Sequence, residues 1–267
     1  MYPILFLICC FIIFPFYWMV LSSLVGGKSF QYPPMYWPTN PSLDAYLSIL
    51  FSGQRPIFLW LTNSTIIAVS TALTSTIVGS FAAYALSRYR FKGKSLIQQG
   101  LLLIRMVPGT LVIVPLYILF IKLNLNNTLF ALVLTSTAFA IPLSIFMLKG
   151  YFDTISTDIE EAARVDGCGR LRILFMITLP LAAPGLVATT LYGFMWGWGE
   201  FTFANTLVSS GELTTMAVGL RSFQGENTIY WNEMMAASVL YTIPVSVVFL
   251  VLQKYLIAGL TAGAVKA

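Results

Sequence analysis

Long apolar runs alternate with short polar connections along this chain, and the runs exceed the length of ordinary core helices. Six can be marked, at about 2–25, 57–87, 96–122, 128–149, 181–207 and 234–257. A helix rising 1.5 Å per residue needs roughly 20 apolar residues to cross a hydrocarbon core about 30 Å thick. The pattern therefore predicts an all-α integral membrane protein with about six spans. Several runs carry an interior proline: Pro15, Pro108, Pro115, Pro142, Pro184 and Pro244. Proline lacks the N–H that closes a helical turn, so each marks either an ordinary kink or a hinge. The connection 26–56 holds Pro33-Pro34, Pro38 and Asn40-Pro41. It reads as a turn-rich loop with a short helix from Leu43 to Phe51. The connection 208–233, with Gly211, Arg221, Gln224, Gly225 and Glu226, is either a docking surface for a soluble partner or a solvated connector. No internal repeat and no soluble domain stand out, so residues 1–267 are expected to form a single transmembrane domain.

Composition agrees with the pattern. Apolar residues make up 58% of the chain, charged residues 9%, and mean hydropathy is +0.82. Soluble domains carry about 25% charge, so this chain lacks the ions to cover a soluble surface. Fifteen Lys and Arg face ten Asp and Glu, a net charge of +5 and a pI near 9.1. The basic residues sit in connections between apolar runs, which the positive-inside rule explains without nucleic acid. One side carries Arg88, Arg90, Lys92, Lys94, Lys149, Arg164, Arg170, Arg172, Lys254 and Lys266; the other carries Lys28, Arg55, Lys122 and Arg221. That asymmetry puts both termini and the 150–180 connection in the cytoplasm. Tyr32, Tyr36, Trp37, Tyr230 and Trp231 lie near the outer ends of spans, where an interfacial aromatic belt belongs. The run from Tyr2 to Leu24 is too long for a signal-peptide core and lacks a basic start and a cleavage site. It reads as a first membrane helix, with a missing cytoplasmic leader as an open possibility.

The chemistry available is narrow. There is no histidine, and Cys9, Cys10 and Cys168 form neither a disulfide framework nor a metal spacing. No catalytic residue and no metal ligand are predicted. An integral-membrane enzyme would need nucleophile, base and ligands at one depth, whereas only Arg105 and Glu200 are clear intramembrane ions, Lys122, Lys149 and Lys254 standing at or near run ends. Arg105 lies about ten residues into its run, roughly 15 Å deep on a straight helix. Intramembrane charge normally faces protein or a water-filled cavity, so both ions are candidates for a translocation pathway; snorkelling to the interface is the alternative, weak for Arg105 and stronger for Glu200. Tyr192, Phe194, Trp196 and Trp198 are candidates for stacking on a sugar ring or for plain packing.

The 150–180 connection carries the most specific pattern. Thr157 and Glu160 form a capping box, predicting a helix from near Asp158. Ile159, Ala162 and Ala163 then share one face, and Glu160 and Arg164 pair on another. Gly167 is placed to end the helix in a left-handed cap. Glu161 is placed to pair with a partner's basic group or to cap a second helix. That second amphipathic turn is expected from Arg170 to Met176, broken by Pro180 before the fifth span.

The spacing Glu161-Ala162-Ala163, Gly167, Ile177, Leu179-Pro180 resembles the signature of permease subunits of binding-protein-dependent ABC importers, matching at every position. Within that family, Pro38-Thr39-Asn40-Pro41, Trp198-Gly199-Glu200-Phe201, Ser222-Phe223-Gln224-Gly225 and the closing Gly259-Leu260-Thr261-Ala262-Gly263-Ala264-Val265-Lys266 look like the maltose-type carbohydrate branch. Gly199 departs from the family, which often has Asn there. The resemblance covers nearly the whole chain and implies the type I importer permease fold. It implies that the seven signature residues form a coupling element gripped by an ATP-binding subunit. It also implies a bacterial or archaeal cell membrane, a homologous second permease, two ATPase subunits that carry the ATP and Mg, and an external solute-binding protein. This chain itself would bind no cofactor. Two Gly-Lys-Ser tripeptides, at Gly27 and Gly93, are not phosphate loops, because Ser22 and Arg88 stand where the first glycine is required. The solute would be a sugar, or a related solute such as glycerol phosphate. A secondary transporter would show broken half-helices and internal symmetry, neither of which is visible in the sequence.

Overall fold

The computed structural model describes residues 2–25, 37, 41–225 and 228–264, of which 256–264 by their backbone. Lys28, Tyr32, Pro33, Pro34, Tyr36, the 38–40 stretch, Glu226, Val265 and Lys266 lie outside the described residues. Among the described residues the regular structure is helical, apart from two isolated bridges, Val25 to Pro41 and Gln224 to Ile229. In order the helices are α1 (Tyr2–Ser23), α2 (Asp44–Phe51), α3 (Ile57–Arg88), α4 (Lys94–Met106), α5 (Gly109–Lys122), α6 (Leu129–Asp153), α7 (Thr157–Val165) and α8 (Arg170–Ile173). Then come α9 (Leu179–Leu181), α10 (Ala183–Trp198), α11 (Ala204–Leu207), α12 (Met216–Gly219) and α13 (Trp231–Ala264). A π-helical turn, Leu174–Thr178, joins α8 to α9.

Four helices, α1, α3, α6 and α13, are long and apolar enough to cross a bilayer. The other two expected spans are bent pairs. The run 96–122 is not one helix: α4 and α5 meet at 96°. Pro108 is the cause. The residue before a proline is pushed out of the helical region, and Val107 sits at φ −78°, ψ 116°. The straight-helix depth assigned to Arg105 therefore does not hold. The segment Arg170–Leu181 meets α10 at 83°, and the bend falls at Ala182. Pro180 does not break the helix, contrary to the expectation from sequence, because the π-turn absorbs it. The Leu179 N–H bonds back five residues to the Leu174 carbonyl, and the next residue, Pro180, has no N–H to place. Pro15, Pro115, Pro142 and Pro244 lie inside continuous helices. Broken helices, which the sequence did not reveal, are thus part of this fold.

The chain forms two compact units, Met1–Asn63 with Ser210–Ser246, and Ser64–Ser209 with Val247–Ala267. In the first, Ala45, Ile49, Ile57, Trp60, Met216, Phe223, Ala236 and Ala237 form the core. Arg55 ties its polar rim together. It pairs with Glu233 at 2.6 Å and lies over the rings of Phe223 and Tyr230 at 4.2 and 5.0 Å. Tyr230 is therefore a partner of Arg55 as well as a residue near a span end.

The second unit packs through small residues, as helices must where lipid supplies no hydrophobic drive. Gly193 and Gly197 of α10 lie against the α3 backbone: an added Cβ would come within 2.9 Å of the Cα of Ala72 and of Ala68, respectively. Gly79 sits nearly as close to Ser144 of α6, at 3.1 Å. Hydroxyls bridge the same helices, Thr74 to Thr137 at 2.8 Å and Thr76 to Thr190 at 3.2 Å. At the far end, Ala83, Tyr84, Leu86, Ile145, Leu148, Phe152, Leu174 and Ala182 make a second core. Since backbone cannot retreat as a side chain can, Gly197→Leu should destabilise this unit by about 1–3 kcal/mol. Thermal melting of the detergent-solubilised protein should show the loss, with Gly150→Ala, an open position inside α6, as the control that shows none.

Candidate functional site

The signature connection folds as a short helix, a left-handed bend and a second helix. Ser156, not Thr157, caps α7: its hydroxyl accepts from the Asp158 N–H at 3.2 Å. The capping box fails because Glu160 turns inward instead of reaching back. Gly167 closes the helix at φ +83°, where residues with a Cβ are strained. The Cys168 N–H bonds the Ala163 carbonyl at 2.9 Å and the Gly167 N–H bonds the Arg164 carbonyl at 3.0 Å, the pairing of a Schellman end. Gly169 starts α8 without any side-chain cap, so Glu161 does not cap the second helix.

The faces of α7 divide differently from the expectation. Ala163 is buried, but Ile159 and Ala162 are exposed. The inward face is Glu160 with Ala163. Glu160 is 1% exposed and accepts from Arg88 Nε at 2.8 Å, Thr178 Oγ1 at 3.0 Å and Tyr84 OH at 3.1 Å. Arg164, its expected i,i+4 partner, stands at 4.0 Å, so Arg88 dominates the pairing. Arg88 also donates to the Ile155 carbonyl at 3.1 Å. On the outward face, Asp158, Glu161, Arg164 and Asp166 are exposed beside Val165 at 89%. Leu171 and Met176 continue the exposed apolar surface beyond the bend. Ile177 and Leu179 are half-buried, Leu179 against the second core, and Pro180 is exposed.

Arg105, Tyr192, Trp196 and Glu200 gather near the break between α4 and α5. Arg105, Trp196 and Glu200 line a cavity of about 320 Å³ with Val107, Pro108, Gly109, Thr110, Phe139, Thr202 and Phe203. Arg105 donates to the Tyr192 hydroxyl at 3.0 Å, and the rings of Tyr192 and Trp196, one turn apart on α10, lie 6.2 Å from each other. Glu200 is 9% exposed and accepts the Phe203 N–H at 2.7 Å, which anchors the irregular chain after α10. It therefore lies beyond the helix rather than within it. Trp198 is apart from this group: it is buried and stacks on Phe194 at 5.7 Å. Phe139 and Phe203, 5.2 Å apart, are not singled out by the sequence, since nothing local distinguishes a cavity wall from lipid-facing aromatics. Glu160, Arg88, Tyr84 and Thr178 as a group are also missed by it. The one available signal is a charge on the face that Ala163 buries.

The chain matches the family described as "Binding-protein-dependent transport system inner membrane component" over residues 75–261. It is 37% identical to the inner membrane ABC transporter permease protein YcjP of Escherichia coli (strain K12), over 95% of this chain and 91% of that protein. It is 38% identical to the trehalose/maltose transport system permease protein MalG of Thermococcus litoralis, over the same shares of the two chains. Among solved structures, a chain of a bacterial ABC transporter involved in the import of the acidic polysaccharide alginate superposes with a TM-score of 0.75 at 23% identity, covering 95% of this chain and 94% of that one. That likeness speaks for the fold. Broken helices alone would suit a secondary transporter, but the family decides the class. The chain belongs to the inner-membrane components of binding-protein-dependent transport systems, as a multi-pass ABC importer permease.

Proposed function

We propose that this chain is one of two membrane subunits of a sugar importer, and that α7 and α8 couple it to separate ATP-hydrolysing subunits. The observation that carries the coupling role is the outward face of α7. Its exposed Asp158, Glu161, Arg164 and Asp166 cannot lie in hydrocarbon, yet Val165 beside them is almost fully exposed. Together with exposed Ile159 on the same helix and Leu171 and Met176 beyond the bend, it gives apolar surface rimmed by charge, the makeup of a protein-binding patch. Glu161, Ala162 and Ala163, with Gly167 holding the bend and Ile177, Leu179 and Pro180 joining it to α10, form the coupling element. Its partners are two ATP-binding cassette subunits, which carry the ATP and Mg, together with a homologous second permease and an external solute-binding protein. The whole chain acts as one permease domain, with both termini and α7 in the cytoplasm. The basic residues of the 88–94 and 149–172 connections support this orientation.

A carbohydrate solute is supported by the relatives' names, trehalose and maltose among them. The cavity supports it too. Trp196, Phe139 and Phe203 offer ring faces, and Arg105, Glu200, Thr110 and Thr202 offer hydrogen bonds. Aromatic walls with a few polar groups are what a pathway subsite for sugar needs. Glycerol phosphate is the second reading, favoured by Arg105, which has no carboxylate within ion-pair distance among the described residues. Titrating the cognate binding protein with a sugar panel and glycerol phosphate separates the two.

Two further outcomes are expected. A membrane-impermeant maleimide should label Cys168, next to the bend, only from the cytoplasmic side, and less when the ATPase is bound. Labelling of Cys168 from outside intact cells contradicts the orientation. Arg105→Leu should insert normally but lower sugar transport about tenfold, the loss of one charge-assisted hydrogen bond. Transport at the wild-type rate in membrane vesicles removes Arg105 from the pathway.

A further inference from the structure

The carboxylate of Glu160 stands just before the Glu161-Ala162-Ala163 triplet, faces away from the proposed ATPase surface and is buried. We propose that Glu160 is a positioning residue, a clamp that locks α7 to the end of α3 and to the π-turn, so that a displacement of α7 moves the membrane helices with it. The inference rests on the coupling role of α7 and adds the internal joint through which the force passes.

Three elements meet on one carboxylate. Arg88 and Tyr84 come from the last two turns of α3, and Thr178 from the π-turn that leads into α10. Arg88 reaches on to the Ile155 carbonyl in the connection between α6 and α7. The end of α6 joins the same network, since Ser87 donates to Asp153 at 2.6 Å and Lys149 pairs with Asp153 at 2.5 Å. The Glu160 and Arg88 side chains are 1% and 5% exposed. A buried pair is poor stabilisation compared with apolar side chains of the same volume, because both ions lose their water. It does fix geometry: only the arrangement that supplies all three donors leaves the carboxylate satisfied. An apolar face of α7 could slide on α3 at little cost, whereas Glu160 cannot move without leaving a charge unpaired in the interior. Tyr84 and Arg88, one turn apart, thus hold α7 at a single register along α3.

The π-turn completes the joint. Thr178 is fully buried on the face of that turn that meets Glu160, while Phe175 and Met176 face outward. The same turn absorbs Pro180 and leads through Ala182 into the 83° bend before α10. A load on α7 is therefore delivered at two places, the end of α3 and the foot of α10. These two helices are already in backbone contact at Gly193 and Gly197, so they respond together.

The test uses the assembled importer in proteoliposomes, with its second permease, ATPase and binding protein, and reads solute molecules transported per ATP hydrolysed. Glu160→Gln keeps the volume but removes the charge, and its amide NH2 cannot accept, so at least one of the three donors loses its acceptor. It should retain the ATPase subunits on pull-down while transport per ATP falls by about fivefold to tenfold, within the range that changes along a coupling network produce. A residue that only stabilised the fold would lower the amount of complex and leave that ratio unchanged. The double variant Glu160→Gln/Arg88→Gln leaves no buried ion uncompensated and gives the same readout should the single variant fail to assemble. Wild-type transport per ATP in both variants, with Glu161→Lys still uncoupling, overturns the clamp and leaves the coupling role of α7 standing. If Glu161→Lys is also without effect, the coupling role and the clamp fall together.

Discussion

The end of this subunit that carries the signature is organised by the need to neutralise one buried carboxylate. Glu160 is inside, and its position is acceptable only because Arg88, Tyr84 and Thr178 supply donors from elements before and after it in the chain. That requirement fixes which face of α7 is inward and so which residues are left outside. Asp158, Glu161 and Val165 present an outer surface because Glu160 and Ala163 are committed to the inner one. The Schellman end at Gly167 then turns the chain back so that Thr178 can meet the same carboxylate.

A different constraint governs the membrane helices. Without a hydrophobic drive between them, close approach depends on missing side chains and on hydroxyls that find partners within the bundle. Gly193 and Gly197 meet Ala72 and Ala68, and threonines bridge α3 to α6 and to α10. Where the helices break, at Val107-Pro108 and after Trp198, the freed backbone lines a cavity. Irregular backbone at membrane depth is tolerated only in such places. The pathway candidates Arg105, Trp196 and Glu200 collect there for that reason.

Much of this is legible in the sequence. Apolar run length marks the spans, and the α2 helix begins within one residue of its expected start. The spaced signature points to the family, which the match over residues 75–261 bears out. Gly167 can be read as a left-handed bend because it stands just past a capped, periodic helix. The misses have two causes: a partner far along the chain, or a local geometry that propensity does not announce. The inward turn of Glu160 depends on Arg88, 72 residues earlier. The survival of the helix through Pro180 depends on a π-turn that local propensity does not announce. Pro108 looks like five other interior prolines, but it alone falls where the chain opens into a 96° break. The role of Gly193 and Gly197 requires knowing which backbone faces them.

Contact between the outward face of α7 and an ATP-hydrolysing subunit is the central claim. A photo-activated cross-linking amino acid placed at Val165 in the assembled importer tests it most directly, since that side chain is 89% exposed and leaves room for the probe. A covalent adduct with the ATPase subunit is the expected result, whereas the same probe at Phe11 of α1 should give none. Adducts from Val165 to lipid, or to the second permease but never to the ATPase, would contradict it.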